Sequence, residues 1–407
     1  MVKRVHKIEN TLSWNEFIKT GKKNSYVEAP YLSDRSAIVV YSSGTTGASK
    51  GIQLTNYSIN STIRDYSPEM FPFCRGDRCF TQIPIWFSTG IVVSCMVPLA
   101  HGVSCILEPI YDFVIFQKEI EKYRPHLLVT PSVFIEHMMV NGGLSDEAVR
   151  NFKYLCVGGD YIAPQREKSA REWLLNKGNT VGLHKAYGMC ECGGTVTTSS
   201  YSCNDFGAAG IPTAHVTVAA FDLLTGTELK YGERGELRVD TPCRMKGYFK
   251  KPEETQKYIK LDDKGTAWAC TGDMGYVSED GSVFVCGRIS DSYVNKEGDI
   301  IFLFDIERAV LDVPEVRQCK AVASEINEEK IHVCHVVLDC QSSRDAVLPM
   351  IYSHCVEILP HNHIPTLFRL YDDALPIALS GKLDTEKMRL DMENLVVYSD
   401  MQEKGEI

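Results

Sequence analysis

The sequence predicts an α/β protein whose large first part ends in a β-rich subdomain and is followed by a small α+β domain. Three observations carry this expectation. Strand and helix patterns alternate between Ala37 and Asn176; short strands joined by Gly and Asp turns replace them from about Val216; helices return among strands after Gly287-Arg288. Alternation of the first kind favours layers built on largely parallel strands.

The elements follow in order. Ala37-Ile-Val-Val-Tyr41 is a β-branched run ending in a Ser/Gly/Thr-rich turn, and reads as a buried strand feeding a loop. Phe116 to Tyr123 is helical, Leu127 to Thr130 a strand, and Ala163 to Asn176 a helix with Pro164 near its start. Val216 to Phe221, Glu236 to Val239 and Ser282 to Val285 are the short strands of the β-rich subdomain. Beyond the junction come a helix at Asp305 to Leu311, strands near Ala321 and Val333, and a helix at Asp345 to Leu359. The expected domains are therefore 1–286 and 287–407.

Composition narrows the function. Hydrophobic residues make up 44% of the 407 and charged residues 24%, enough apolar material for a real core. The net charge of -10 argues against a nucleic-acid surface, which is normally basic. The 15 cysteines include no CxxC pair, so reduced thiols in a cytoplasmic protein are expected and a structural metal is not. His332 and Cys334 share one face of a strand and read as packing; His361 and His363 read as loop residues. The opening MVKRVHKIENTL lacks the apolar stretch of a secretory signal. The longest apolar run, Ile91 to Leu107, is broken by Pro98, His101 and Gly102, whereas a membrane helix needs about 20 apolar residues. It reads as core helix plus strand, with no membrane span.

The chemistry lies in a series of motifs. In Tyr41-Ser-Ser-Gly-Thr-Thr-Gly-Ala-Ser-Lys-Gly51 the glycines let backbone N–H groups converge on a phosphate, hydroxyls add donors, and Lys50 adds charge. The Gly spacing, and Gly51 after Lys50, exclude a Walker loop. Gly158-Gly159-Asp160 follows the strand Tyr154 to Val157 and suits a place where backbone lies flat on a ligand. Pro84-Ile-Trp-Phe-Ser-Thr-Gly90, Tyr187-Gly-Met-Cys-Glu191, Thr271-Gly-Asp273, Gly287-Arg288-Ile-Ser-Asp291 and Pro376-Ile-Ala-Leu-Ser-Gly-Lys382 complete the set. In this order the motifs resemble the signatures of the adenylate-forming superfamily: acyl-CoA synthetases, adenylation domains of peptide synthetases, and luciferases. The likeness in look is greatest to bacterial fatty acyl-CoA synthetases, and it covers the chain from about Asp34 to Lys387.

The resemblance implies a large N-terminal AMP-binding part, a small mobile C-terminal domain, and activation of a carboxylic acid with ATP and Mg²⁺. Coenzyme A, or alternatively a carrier protein, would accept the acyl group. A carboxylate attacking an ATP phosphorus needs cations and donors aimed at the phosphates. The resemblance assigns Thr45, Thr46 and Lys50 to the phosphates, and Glu191 with Thr46 to the metal. It sets Gly158, Gly159, Asp160, Tyr187, Gly188 and Cys190 around the nucleotide, with Tyr187 stacked on adenine. Asp273 would take the ribose hydroxyls with Arg288 beside it, and Lys382 would bind the substrate carboxylate and the charge developing at phosphorus. Phe87, Gly90 and Gly159 would line the acyl pocket, and Ser290 would be the hinge. Phe87 stands where many relatives have His, which favours an apolar acyl group, a medium- or long-chain fatty acid.

The chain also departs from the pattern. Cys190 and Ala378 replace common threonines, and Ser290 replaces the usual Asp or Lys. A thiol is a weak donor, so one phosphate contact is expected to weaken. Only 40 residues precede Tyr41, where relatives carry a long segment. On this reading the large part is truncated at its front and exposes sheet edges and apolar faces. A nucleotide-binding fragment without activity is the corresponding alternative.

Overall fold

The computed structural model describes residues 11–22, 25, 27–41, 49–66, 71–110, 112–141, 143–159, 162, 164–200, 203–326, 329–339, 343–376 and 383–398. Helix α1 (Trp14–Lys22) precedes two antiparallel strands, β1 (Ser36–Tyr41) and β2 (Gly51–Thr55). Tyr41 pairs with Gly51, so the first and last residues of the phosphate-loop motif are neighbours. The expectation that the first strand is buried needs correction. Of its six residues only Val40 is buried, while Val39 and Tyr41 are exposed. The strand has one neighbour among the described residues, β2, so a β-branched run here marks one packed face and not two. On α1, Trp14, Phe17 and Ile18 lie on one exposed apolar face.

The main layer follows. Helix α2 (Asn56–Asp65) starts at a reciprocal cap between Thr55 and Ser58. Then come β3 (Arg78–Thr81), a π-helix at Thr89–Met96 continued by α3 (Val97–Ala100), β4 (Ser104–Leu107) and α4 (Phe113–Tyr123). The apolar run Ile91 to Leu107 is thus helix and strand, as its broken pattern predicts. Asp112 caps α4 through the Ile115 N–H, and Arg124 in the left-handed region ends it. Next are β5 (Leu127–Thr130), α5 (Ser132–Asn141), α6 (Asp146–Arg150), β6 (Tyr154–Gly158), α7 (Pro164–Asn176), β7 (Leu183–Tyr187), β8 (Thr197–Thr198) and β9 (Ile211–Pro212). The sheet order is β4-β3-β5-β6-β7-β8-β9, parallel through β7 and antiparallel after it. Alternate residues serve opposite cores. Leu128, Leu155 and Val157 pack with Phe116, Phe134 and Phe152; Leu127, Tyr154 and Cys156 pack with Tyr66, Phe71 and Val97.

The β-rich part is antiparallel: β10 (Thr217–Phe221), β11 (Gly235–Asp240), β12 (Gly247–Tyr248), α8 (Pro252–Tyr258), β13 (Ile259–Leu261), β14 (Ala267–Val277) and β15 (Val283–Arg288). Strand β12 leaves this sheet and pairs with β2, which joins the subdomain to the phosphate-loop hairpin. The C-terminal part has β16 (Ser292–Val294), β17 (Ile300–Phe302), α9 (Leu303–Leu311), β18 (Val316–Ile326), β19 (Glu329–Leu338), α10 (Arg344–Ile358), β20 (Leu367–Tyr371), α11 (Thr385–Leu390) and β21 (Val396–Val397). Its main core cluster draws on buried residues from Tyr293 onward. His332 and Cys334 do share one face of β19; Cys334 is buried, and His332 bonds the Tyr293 hydroxyl and the Ile364 carbonyl. The loop reading of His361 and His363 is corrected to a 3-10 turn in which buried His363 Nε2 accepts the Phe302 N–H at 3.2 Å. The 14 described cysteines form no disulfide, and no metal-binding group of three His, Cys, Asp or Glu exists among the described residues. No helix among the described residues is long and apolar enough to cross a membrane.

Candidate active site

Two corners of the molecule collect the expected residues, and β7 with the turn after it joins them. The first corner sits where β14 meets β15. Asp273 and Arg288 are cross-strand partners, and Arg288 Nε lies 3.0 Å from Asp273 Oδ1. From β7, the Tyr187 hydroxyl donates to Asp273 Oδ2 at 2.5 Å. The Asp273 N–H donates to the Thr271 hydroxyl oxygen, and that hydroxyl donates to the Leu237 carbonyl. Asp273 is only 3% exposed. Burial pushes its carboxyl up from the ordinary range, while the Arg288 charge and the Tyr187 hydroxyl pull it back. Burial, and then the Asp273 charge, push the Tyr187 phenol well up. The expected ribose acceptor is therefore a buried, oriented carboxylate whose neighbours are strand residues.

The second corner gathers Lys50, Glu191 and two residues that the motifs did not single out, Tyr248 and Glu254. Lys50 Nζ pairs with Glu254 Oε2 at 2.8 Å and lies 4.9 Å from the centre of the Tyr248 ring. The Tyr248 hydroxyl donates to Glu191 Oε1 at 2.8 Å. Burial and then the Glu191 charge push the Tyr248 phenol up, and the Lys50 ammonium holds Glu254 below its ordinary value. Glu191 sits in a 3-10 turn, Cys190–Cys192, closed by Gly193 in the left-handed region. Its backbone carbonyl accepts the Met245 N–H at 2.7 Å. Cys190 lies beside it, half-buried against the cluster that holds Ile52, Met245 and Tyr248. Gly188 is required by packing: a Cβ there would stand 2.3 Å from the Gly194 carbonyl oxygen and 2.7 Å from Thr195 Cα. That close approach turns the chain from β7 into the Glu191 turn.

The remaining expected residues lie apart or outside. Thr45, Thr46, Asp160 and Lys382 are outside the described residues. Pro376 and Asp384, which bracket Lys382, are joined by an Asp384 N–H bond to the Pro376 carbonyl at 2.9 Å. Gly158 ends β6 beside Ala186 of β7, and Gly159 follows with φ +81° and open space where a side chain would project. Phe87 is half-buried, its N–H bonded to the Pro84 carbonyl. Gly90 is buried where a Cβ would stand 2.2 Å from the Pro84 carbonyl oxygen, so a close backbone contact alone demands glycine there. Ser290 is exposed in the turn between β15 and β16. Ile289 N–H bonds back to the Gly272 carbonyl, while the Asp291 carbonyl accepts the Leu303 N–H and its carboxylate accepts from Lys320 at 3.0 Å. Ser290 lies between these two ties, and the Arg288 carbonyl accepts the Asp291 N–H across it at 3.0 Å. Beyond this turn the two parts touch through Arg234 and both carboxylate oxygens of Asp305, each at 3.0 Å, through an Arg308 bond to the Val285 carbonyl, and through Phe304 packed on Gly287.

Sequence reasoning missed Tyr248 and Glu254 for a topological reason. Lys50 and Glu254 are 204 positions apart, and only the pairing of β12 with β2 brings them together. The available signal was modest: Gly247-Tyr248 shortly before a Pro-started helix that carries Glu253 and Glu254 in its first turn.

Comparisons with known proteins give the family. The family described as AMP-binding enzyme matches residues 3–249, and the chain belongs to that family. Long-chain-fatty-acid–CoA ligase of Yersinia pestis is 25% identical over 402 residues, covering 94% of this chain and 66% of that protein. The protein of the same name from Haemophilus influenzae is 26% identical over 388 residues, covering 93% and 66%. The chain thus spans 66% of the length of these two curated relatives. Among solved structures, ATP-bound MatB from Rhodopseudomonas palustris superposes with a TM-score of 0.78 at 23% identity, covering 91% of this chain and 71% of that one. MenE from Bacillus subtilis, in complex with ATP and magnesium ion, superposes with a TM-score of 0.73 at 22% identity, covering 90% and 72%. At these identities the two structures establish the adenylate-forming fold.

Proposed function

We propose that the protein is an AMP-forming acid–thiol ligase, which activates a carboxylic acid with ATP and passes the acyl group to coenzyme A. The observation that supports this best is the joining, by the single segment Tyr187–Glu191, of a buried carboxylate suited to ribose and a cation suited to phosphate. In the first step a substrate carboxylate oxygen attacks the α-phosphorus, and the bond from that phosphorus to pyrophosphate breaks. In the second the thiol sulfur attacks the acyl carbonyl and AMP leaves. Asp273 accepts hydrogen bonds from the ribose hydroxyls, Arg288 holds Asp273, and Lys50 offsets phosphate charge. Lys382 is assigned to the substrate carboxylate. Glu191 is the Mg²⁺ ligand in this reading. Its Oε1 is fixed by Tyr248 and its Oε2 has no partner among the described residues, which suits an ion that keeps several waters and phosphate oxygens. That ion would offset charge on the departing pyrophosphate.

For the acid, we favour a medium- or long-chain fatty acid. The names of the Yersinia and Haemophilus relatives and an aromatic Phe87, which offers neither proton nor charge, support an apolar acyl group. Relatives named for 4-coumarate and sulfoacetate set the alternatives to be measured. The test is ATP–pyrophosphate exchange with saturated fatty acids of graded length, 4-coumarate and sulfoacetate, followed by acyl transfer to CoA or to a free carrier protein. Exchange with the fatty acids and transfer to CoA are expected. No exchange with any acid would overturn the ligase reading; exchange with only the shorter polar acids would overturn the substrate; transfer to carrier protein alone would overturn the acceptor.

A further inference from the structure

We propose that Tyr248 is a positioning residue shared by the phosphate lysine and the metal carboxylate, its ring backing Lys50 and its hydroxyl fixing Glu191. The inference rests on the ligase reading above. A lysine and a glutamate serving one triphosphate face a physical difficulty. At short range in a half-buried site they attract each other, and a direct Lys50–Glu191 pair would occupy the carboxylate that the metal needs. Here a single side chain engages both. The face of the ring lies 4.9 Å from the Lys50 ammonium, and the hydroxyl on its rim holds Glu191 Oε1 at 2.8 Å. An aromatic face takes a cation, and a hydroxyl donates well to a carboxylate. Phenylalanine, serine or leucine could do one of these at most.

The backbone fixes Tyr248 in this place. Tyr248 pairs with Ile52, two residues after Lys50. Phe249 N–H bonds the Gly51 carbonyl at 2.7 Å, and Lys246 N–H bonds the Gln53 carbonyl at 2.9 Å. The Tyr248 N–H bonds the Thr255 hydroxyl at 2.9 Å, and Met245 of the same segment grips the Glu191 carbonyl. One short segment therefore ties the exit of the phosphate loop to the turn that carries Glu191. Glu254 completes the unit as the counter-ion of Lys50, which a triphosphate replaces.

The experiment compares wild type with Tyr248→Phe, Tyr248→Leu, Glu191→Gln and the double variant Tyr248→Phe/Glu191→Gln. Each is melted to confirm folding. Calorimetry then measures ATP binding without divalent ion, and electron paramagnetic resonance measures Mn²⁺ binding to the ATP complex. The Phe variant keeps the ring, so metal-free ATP affinity should stay within about twofold, while Mn²⁺ affinity should fall by about tenfold, as expected for a lost bond to a charged group. In the Glu191→Gln background the same change should add less than about twofold, because partners in one contact are not additive. The Leu variant should also weaken metal-free ATP binding several-fold, the size of a lost cation–ring contact. Unmoved Mn²⁺ affinity in the Phe variant, or an equal loss with and without Glu191, overturns the inference while leaving the ligase reading intact. Wild type that binds no ATP overturns both. Because Phe preserves the packing, it decides the matter even where Leu does not fold.

Discussion

The ribose corner and the phosphate corner are built differently, although only the four residues 188–191 separate Tyr187 from the far end of the turn. The ribose corner is strand-borne and closed. Asp273 is nearly inaccessible, both of its oxygens are committed to Tyr187 and Arg288, and all three residues sit on β7, β14 and β15. The phosphate corner is open and made of ends. Lys50 precedes a strand, Glu191 lies in a 3-10 turn, and Tyr248 closes a two-residue strand. Its ion pair is about a third exposed on each side. On the proposed function, the first corner would fix position and the second would supply charge. Sugar hydroxyls are recognised by geometry that a sheet can hold in advance, whereas the charge on three phosphates changes during the reaction.

This contrast can be broken from either side. The largest effect should come from Asp273→Ala, which removes the ribose acceptor and leaves the Arg288 charge unpaired. Losing a hydrogen bond to a charged acceptor costs about 1.5–3 kcal/mol, so ATP affinity should fall by roughly one to two orders of magnitude. Inorganic tripolyphosphate, which meets only the other corner, should bind as before. Equal losses for both ligands, read by calorimetry, would show that the corners are one site. Tyr187→Phe is the milder form, removing one hydrogen bond to a charged group. AMP affinity should fall by about tenfold, with the Mg²⁺ dependence of ATP binding unmoved.

The acid limb of nucleotide binding sharpens the contrast. Burial raises the Asp273 carboxyl above its ordinary value, so acceptance from the ribose should fade, as pH falls, earlier than an exposed aspartate would allow. Arg288 pulls that value down. Arg288→Met should therefore move the limb to higher pH, while the tripolyphosphate profile keeps its place; a limb moved to lower pH would contradict the arrangement. The smallest effect belongs to Glu254→Gln. Partly exposed ion pairs contribute little, so removing the Glu254 charge should tighten ATP binding by only a few-fold, and looser binding would make Glu254 an orienting partner and not a competitor.

Much of this was legible in the sequence. Helix and strand limits such as Leu127–Thr130 and Pro164–Asn176 follow from apolar period and proline placement, because each is a local property. The Asp273–Arg288 pair was expected from motif resemblance, and the pairing of β14 with β15 is what keeps the two residues close. The burial of β1 was misread because a β-branched run reports strand tendency and is silent about how many of its faces are covered. Tyr248 and Glu254 were invisible for a deeper reason. Their role depends on β12 crossing to β2, a non-local pairing that no window of sequence contains. The roles assigned to Thr45, Thr46, Asp160 and Lys382 rest on motif resemblance alone.

The turn from Arg288 to Asp291 has a mechanical consequence. Ile289 is tied to the sheet behind it and Asp291 to the helix ahead, with the exposed Ser290 between them. The Arg288 carbonyl accepts the Asp291 N–H at 3.0 Å and the Ile289 carbonyl accepts the Ser292 hydroxyl at 2.7 Å, so any rotation about the two soft torsions of Ser290 works against both bonds. The Arg234–Asp305 pair, the seat of Phe304 on Gly287, and the bonds of Gln165 to Asp312 and of Arg166 to the Arg317 carbonyl hold the residues before and after this turn together.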